Sequence, residues 1–123
     1  MGMITEGTVA FGSLLRHDVW QGQSTEKFVL KVVLSEEEAE KLRSEGVNIT
    51  EYDGAPQRKF SSGYEVPAYD IDDNAYTKDI PKGSLVRIEW KAGNKHPVHG
   101  LATYMMRVRV LEEGKGQAGS EDF

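Results

Sequence analysis

The sequence predicts a mainly β domain, a small five-stranded barrel or sandwich with one short helix after the second strand. Stretches in which apolar and polar side chains alternate recur along the chain, as half-buried strands require, and turn residues separate them. One stretch carries helix-capping signals instead. The strands are predicted at residues 8–20, 27–34, 59–68, 84–91 and 101–111.

The first predicted strand is long and interrupted. Val9, Phe11, Leu15 and Val19 are predicted to share its buried side, and Gly12 indicates a bulge or a sharp bend within it. The second strand has the strongest such pattern, because Phe28, Leu30, Val32 and Leu34 alternate with Lys27, Val29, Lys31 and Val33.

The last two strands also alternate clearly. Trp90 shares a face with Val86 and Ile88, which favours a core position, although its neighbour Lys91 also suits a binding surface. In the last strand, Arg107 and Arg109 lie opposite the apolar face and either line a groove or face water. That apolar face is predicted to consist of Ala102, Tyr104, Met106, Val108 and Val110.

The helix is predicted to begin after Ser35, whose hydroxyl suits an N-cap position. Glu38, three residues later, completes a capping box, and Gly46 is the expected C-terminal stop. The acidic run over 36–45 therefore has a structural explanation and is not a binding motif, since the glutamates of the first turn favour the positive end of the helix dipole. Residues 48–55 are predicted to form a turn.

The composition indicates one soluble domain. The chain has 123 residues, of which 38% are hydrophobic, enough for a single folded core. It has no cysteine, no apolar run of membrane-spanning length and no N-terminal signal-peptide pattern. We expect a cytoplasmic protein, in the host cytoplasm if it is viral, with a barrel over residues 1–111 and an acidic tail over 112–123.

Charge is unevenly distributed along a chain whose net charge is −5. Residues 35–53 and the tail are acidic. Residues 82–111 instead carry six basic side chains against Glu89 alone, with His96 and His99 in the same stretch. A local basic groove on an acidic protein attracts a phosphate backbone, whereas a solvated strand face explains the same charges without function.

The sequence supports neither a metal site nor catalysis. Asp70, Asp72 and Asn74 resemble the start of a calcium loop, but Ala75 and Pro81 occupy positions where such a loop needs glycine and glutamate. His96 and His99 have no evident third ligand. No phosphate loop, nucleophile elbow or spaced triad is present, so we expect no cofactor and no enzyme.

Aromatic side chains lie beside basic ones at several places, as in proteins that stack bases and track phosphates. Arg58 and Lys59 precede Phe60, with Tyr64 four residues further on, and Trp20 ends a strand at a loop. Core packing is the competing explanation for each ring.

The C-terminal segment is glycine-rich and acidic and ends in Glu121, Asp122 and Phe123. Its carboxylates can mimic phosphates in a basic groove, and a terminal Phe can anchor in a pocket of a partner protein. A disordered terminus with an incidental Phe is the alternative.

The order of these features resembles the small single-stranded DNA-binding proteins of podovirus-like phages. The resemblance rests on the strand Phe28–Leu34 followed by Ser35, the turn Pro81–Ser84 leading into a basic strand, Gly100–Leu101 opening the last strand, and the tail ending in Phe123. It implies an OB-fold that binds single-stranded DNA with little sequence preference. It also implies a tail that recruits replication proteins such as polymerase, and often a homodimer.

The chain departs from this family in two places, because its tail is short and only modestly acidic and because the loop 93–97 contains no aromatic side chain. We therefore expect Lys91, Lys95 and His96 to supply charge there. Phosphate contacts are also predicted for Arg58, Lys59, Arg107 and Arg109, base stacking for Phe60, Tyr64, Trp20 and Trp90, and partner contacts for Glu121, Asp122 and Phe123. The rival hypotheses are a protein-interaction module or virion-associated adaptor with only core aromatics, and a small enzyme or ligand-binding barrel that uses His96 and His99.

Overall fold

The structure is a computed structural model that describes residues 3–52, 54–97 and 100–114, except the side chain of Trp20. Nine strands and one helix follow one another in this part of the chain. They are β1 (Met3–Ser13), β2 (Val19–Trp20), β3 (Gln23–Ser24), β4 (Phe28–Val33), α1 (Glu36–Ser44), β5 (Thr50–Tyr52), β6 (Ala55–Ser62), β7 (Ala68–Tyr69), β8 (Leu85–His96) and β9 (Gly100–Glu112).

Five of these strands close into a barrel. β1 pairs with β4 and β8, β4 pairs with β6, and β8 pairs with β9, all antiparallel. The barrel closes where Ser61 of β6 meets Tyr104 of β9 in parallel. Five strands in a closed barrel with one short helix match the OB-fold architecture, and the predicted fold class is confirmed.

The interior of the barrel is apolar and tightly filled. Leu30, Phe60, Val86 and Ile88 are fully buried, and the rings of Phe60 and Trp90 pack at a centroid distance of 5.9 Å. The indole N–H of Trp90 donates to Thr5 Oγ1 at 2.9 Å, so the polar atom of the largest core side chain is satisfied inside the barrel.

The helix packs against β1 and β6 by burying Ala39 and Leu42. Its predicted N-cap is confirmed, because Ser35 Oγ accepts a hydrogen bond from the backbone N–H of Glu38 at 3.1 Å. The Glu38 carboxylate does not complete a capping box, since it accepts from the backbone N–H of Glu6 and pairs with Lys41. No helix in the described ranges is long and apolar enough to cross a membrane.

A bulge in β1 reverses the alternation that the sequence predicted. Val9 pairs with Val32, but the next pairing joins Phe11 to Lys31, so Ala10 is the extra residue. Val9 stays buried while Phe11 is 48% exposed. The predicted irregularity near Gly12 is confirmed, and the predicted shared buried side is wrong because Leu15 and Val19 are also exposed.

A second bulge does the same in β9. Glu89 pairs with Arg107 and Trp90 with Met105, so Met106 is the extra residue. Thr103 and Met105 are therefore buried along with Val108 and Val110, while Tyr104 and Met106 are exposed. The prediction that one uninterrupted face of this strand is apolar is wrong.

Two segments predicted as irregular contain strands. β8 and β9 continue as a hairpin through most of the predicted loop 92–100, and β5 lies within the predicted turn 48–55. The side chains of β5 and of the far end of β8 are largely exposed, so no apolar alternation marks these segments in the sequence. The strand predicted at 59–68 begins earlier, at Ala55, and ends at Ser62.

Candidate nucleic-acid interface

An open groove crosses the outer surface of the barrel beside β6 and the β8–β9 hairpin. The side chains that line it include Lys27, Lys59, Ser61, Asn94, His96 and Tyr104. None of the residues lining it is acidic. The groove therefore combines fixed positive charge with polar hydrogen-bonding groups, which is the surface that a polyanion requires.

A row of side chains crosses three strands next to the groove. Phe11 of β1 lies opposite Lys31 of β4, and Lys31 lies opposite Lys59 of β6, so that all three project from the outer surface. We call the outer surface around Phe11, Lys31 and Lys59, with the groove, the lysine face. Lys31 and Lys59 each carry a charge that no acidic neighbour across the sheet offsets.

The lysines on and around this face have no ion-pair partner among the residues that the structure describes. Lysine keeps its charge hydrated on a flexible stem, so an unpaired lysine can exchange water for a phosphate at little structural cost. This unpaired set comprises Lys27, Lys31, Lys59, Lys82, Lys91 and Lys95.

Tyr104 is a groove residue that the sequence analysis assigned to the core. The β9 bulge turns its side chain outward, where it is 37% exposed and lies across from Lys91. Gly93 lies against its ring, because a Cβ at that position would approach Tyr104 Cε2 to 2.1 Å. The partly exposed ring of Tyr104 provides a surface for base stacking beside unpaired lysines.

Arg58 lines the groove, but its guanidinium is hydrogen-bonded to the end of the barrel. Its guanidinium donates to Thr103 Oγ1 at 3.0 Å, to the Asn48 carbonyl at 3.0 Å and to the Leu101 carbonyl at 2.9 Å. Burial lowers the pKa of Arg58. Three donors used in this way link β6 to β9, so Arg58 has a structural role, and its predicted phosphate contact stays a prediction.

Arg107 and Arg109, also predicted to bind phosphate, lie on a different surface. Arg107 pairs with Glu89, and Arg109 pairs with Asp73 at 2.9 Å and donates to the Asp70 carbonyl. They line a shallow depression that shares no residue with the groove. We call the outer surface around Arg87, Arg107 and Arg109 the arginine face, and the charges of these arginines are neutralised by carboxylates beside them.

Two predicted stacking residues are core residues. Phe60 is 0% and Trp90 1% exposed, so neither ring has a face that a base could reach. Both lie on strand positions that point into the barrel, and the predictions for them are wrong. Tyr64, just beyond β6, is 84% exposed and remains a stacking candidate, while the side chain of Trp20 lies outside the described residues.

The predicted basic hairpin residues lie together at the end of the β8–β9 hairpin. Lys95 is in register with Leu101 and His96 with Gly100, and His96 lines the groove. Lys91 and Lys95 are exposed. His99 lies outside the described ranges, within which no cluster of three metal-ligating side chains occurs.

The root of the tail is attached to the barrel. Glu113 Oε2 accepts a hydrogen bond from the Tyr76 hydroxyl at 2.5 Å and pairs with Lys78 at 2.9 Å, and these contacts lower the pKa of Glu113. The backbone N–H of Gly114 donates to Ser84 Oγ at 2.8 Å. Glu121, Asp122 and Phe123 lie outside the described residues.

Solved structures of other proteins share this architecture, whereas sequence comparisons find no relative. No protein-family model matches the sequence, and no curated relative matches it either. Among solved structures, the single-stranded DNA-binding protein of bacteriophage Enc34 in complex with single-stranded DNA superposes with a TM-score of 0.70 at 6% identity, covering 91% of this chain and 86% of that one. The single-stranded DNA-binding protein of bacteriophage T7 superposes with a TM-score of 0.64 at 11% identity, covering 94% of each chain.

The likeness extends over nearly the whole described barrel at very low sequence identity, so it is a likeness of fold. The resemblance drawn from the order of strands, helix and turns is confirmed at that level. The chain has the fold found in bacteriophage single-stranded DNA-binding proteins.

Proposed function

We propose that this protein binds single-stranded DNA with little sequence preference through the lysine face. The observation that carries the proposal is the composition of the groove, which the unpaired Lys27 and Lys59 line together with the partly exposed ring of Tyr104, and none of the described residues that line it is acidic. The same surface therefore offers both components of single-strand binding, cations for phosphates and an aromatic ring for bases.

The chemistry favours a single strand over a duplex. A base can stack on a protein ring only when it is not stacked within its own helix, so Tyr104 favours unpaired nucleotides. Lysine binds phosphate as a point charge without the planar fork that reads guanine edges. These two properties predict affinity that depends on salt far more than on sequence.

The remaining predicted contacts surround this centre. Lys91, Lys95 and His96 extend the positive charge along the hairpin, and Tyr64 and Trp20 are further stacking candidates on the loops that flank β6 and β4. Structures with the same fold belong to proteins described as binding single-stranded DNA, one of them in complex with it, which supports the assignment.

Protection of exposed single strands follows from binding without sequence preference. We further propose that Glu121, Asp122 and Phe123 recruit replication or recombination proteins such as a polymerase and compete with DNA for the groove, and that the protein forms a homodimer. The acidic composition of the tail and its aromatic end support partner binding.

The direct test is fluorescence anisotropy of a labelled oligo-dT at several salt concentrations. Anisotropy does not depend on a tryptophan at the binding surface, which suits this protein because Trp90 is buried in the core. We expect tight binding at low salt that weakens steeply as salt rises, since each phosphate contact releases a counterion. Removal of residues 115–123 is expected to strengthen binding.

A matched pair of variants separates the lysine face from general charge. Lys59→Gln removes an unpaired charge beside the groove, whereas Lys41→Gln removes a charge paired with Glu38 on α1. We expect only Lys59→Gln to weaken binding and to reduce the salt slope by roughly 0.7. Absence of binding at low salt would instead favour a protein-interaction module, for which the exposed apolar side chains Ile4, Val19 and Ile71 would be contact sites.

A further inference from the structure

We propose that the same DNA strand has a second base-stacking site, in the depression between β1 and β5 that contains Phe11 and Tyr52. This proposal rests on single-stranded DNA binding by the lysine face and extends it beyond the groove at Tyr104. The depression is bordered by Phe11, Lys31, Val33, Tyr52, Ala55 and Lys82, and it shares no residue with the groove.

The bulge in β1 is what directs Phe11 into this depression. Without the extra residue Ala10, Phe11 would point to the same side as Val9, which is 3% exposed. Gly12, with φ of +122°, continues the irregular backbone, and a Cβ there would approach the Val29 carbonyl oxygen to 2.2 Å. Bulges of this kind re-aim side chains near functional surfaces.

The rings of Phe11 and Tyr52 are exposed to solvent, although residues beside them in the sheet are buried in the core. Phe11 is 48% and Tyr52 66% exposed, although Val9 and Val32 beside them are buried. Tyr52 ends the edge strand β5, paired with Ala55 across the turn to β6. Two exposed aromatic rings bordering one concave surface form a contiguous apolar site with room for a planar ligand.

The charge around these rings selects a polyanion over a neutral partner. Lys31 and Lys82 border the depression, no acidic residue does so in the part of the chain that the structure describes, and Lys31 Nζ lies 6.0 Å from the centre of the Phe11 ring. A nucleotide satisfies both features at once, because its base stacks on the ring while its phosphate meets the lysine.

The depression is continuous with the groove through the row Phe11, Lys31 and Lys59. Neighbouring strands are roughly 5 Å apart, so this row spans roughly 10 Å from the Phe11 ring to the lysine at the groove. A strand that follows the two lysines therefore passes from Tyr104 to Phe11 along described lining residues of which none is acidic. A longer oligonucleotide reaches both rings, and a short one reaches only one.

The test is an anisotropy titration with labelled oligo-dT of increasing length, from about 4 to about 16 nucleotides, the range of single OB-fold sites. For Phe11→Leu and for Tyr52→Leu we expect a loss of affinity of about fivefold or more on the longest oligonucleotide. On the shortest oligonucleotide that the wild type binds, we expect a change of less than about twofold. Ile71→Ala is the control, because Ile71 is 67% exposed and lies away from both sites.

Each outcome decides one of the two claims. If the wild type binds no length at low salt, single-stranded DNA binding itself fails. If it binds but both variants match the wild type on long oligonucleotides, the second site is wrong while the groove stands. An equal loss on short and long oligonucleotides would also contradict it, since Phe11 would then belong to the first site. Thermal unfolding of each variant confirms that the barrel is intact.

Discussion

The lysine face and the arginine face of this barrel both carry basic side chains, but among the described residues only those of the arginine face are paired with carboxylates. On the arginine face, Arg87 pairs with Glu6 at 2.8 Å, Arg107 with Glu89, and Arg109 with Asp73. On the lysine face, Lys31 and Lys59 have no acidic partner within the described residues. A surface for a polyanion is therefore indicated by basic side chains that lack an acidic partner, and not by the number of basic residues in a segment of the sequence.

The chemistry of the two side chains explains the division. The planar guanidinium of arginine matches a carboxylate on the neighbouring strand, and such cross-strand pairs stabilise the sheet they lie on. Phosphate would have to displace an existing partner there. A hydrated, unpaired lysine releases only water and counterions when it binds phosphate, so no contact within the folded protein has to break.

The largest effect is expected for Arg58, the arginine that lies closest to the groove. Arg58→Ala removes the three hydrogen bonds that the guanidinium donates to Thr103 Oγ1 and to the Asn48 and Leu101 carbonyls, and we expect the free energy of unfolding to fall by about 3 kcal/mol. Urea denaturation measures this. Lys59→Ala, its exposed neighbour, is the control and should change the free energy of unfolding by less than about 0.5 kcal/mol. Unchanged stability of Arg58→Ala would contradict the structural role.

The next effect concerns the aromatic surface of the groove. Tyr104→Ala removes the ring that lies beside Lys91 and Gly93, and we expect binding of oligo-dT to weaken by about 1–3 kcal/mol. Tyr64→Ala provides the comparison, because Tyr64 is more exposed but does not line the groove. A larger loss for Tyr64→Ala would move the main stacking site to the loop after β6.

A smaller effect should separate the two faces directly. The double variant Arg107→Gln with Arg109→Gln removes two charges that are already neutralised, and we expect less than about a twofold loss of affinity. The matched variant Lys31→Gln with Lys59→Gln removes two unpaired charges and should lower the salt slope by roughly 1.4. Equal slopes for the two double variants would abolish the distinction between the faces.

The smallest effect is a pH dependence outside both faces. Ser13 Oγ donates to Asp79 at 2.5 Å and Arg16 pairs with it, and these contacts lower the pKa of Asp79. A carboxyl whose pKa is depressed by folding stabilises the fold above its unfolded pKa of about 4, and this contribution disappears as the pH falls through the folded pKa.

Thermal unfolding from about pH 6 down to about pH 2.5 should therefore show a shallower loss of stability for Asp79→Asn than for the wild type. DNA binding at neutral pH should not change, because Asp79 borders neither the groove nor the depression at Phe11. Parallel pH curves for the two proteins would show that this contact contributes nothing.

The sequence predicts the barrel well because uninterrupted alternation and helix caps are local signals. The strand β4, the N-cap Ser35 and the buried face of Val86 and Ile88 follow directly from it. Tyr104 and Phe11 could not be placed, because one extra residue in a strand reverses every side chain beyond it. Gly12 indicated one of these bulges, while nothing in the sequence around Met106 indicates the other.

The sequence also could not predict which basic side chains form ion pairs. The basic segment 82–111 contains one glutamate, yet its arginines find Glu6 and Asp73 from other parts of the chain. Lys31 and Lys59 lie outside that segment and remain unpaired in the described structure. Only the register of β1, β4 and β6 brings them into one row.

The most direct measurement is a map of backbone amide shifts by NMR on titration of the full chain with oligo-dT. We predict that the shifts concentrate on β4, β6 and the β8–β9 hairpin, with Lys31, Lys59 and Tyr104 among the largest, and that Arg87 and Arg107 stay nearly unchanged. Shifts centred on the arginine face, with the lysine face unaffected, would contradict the account.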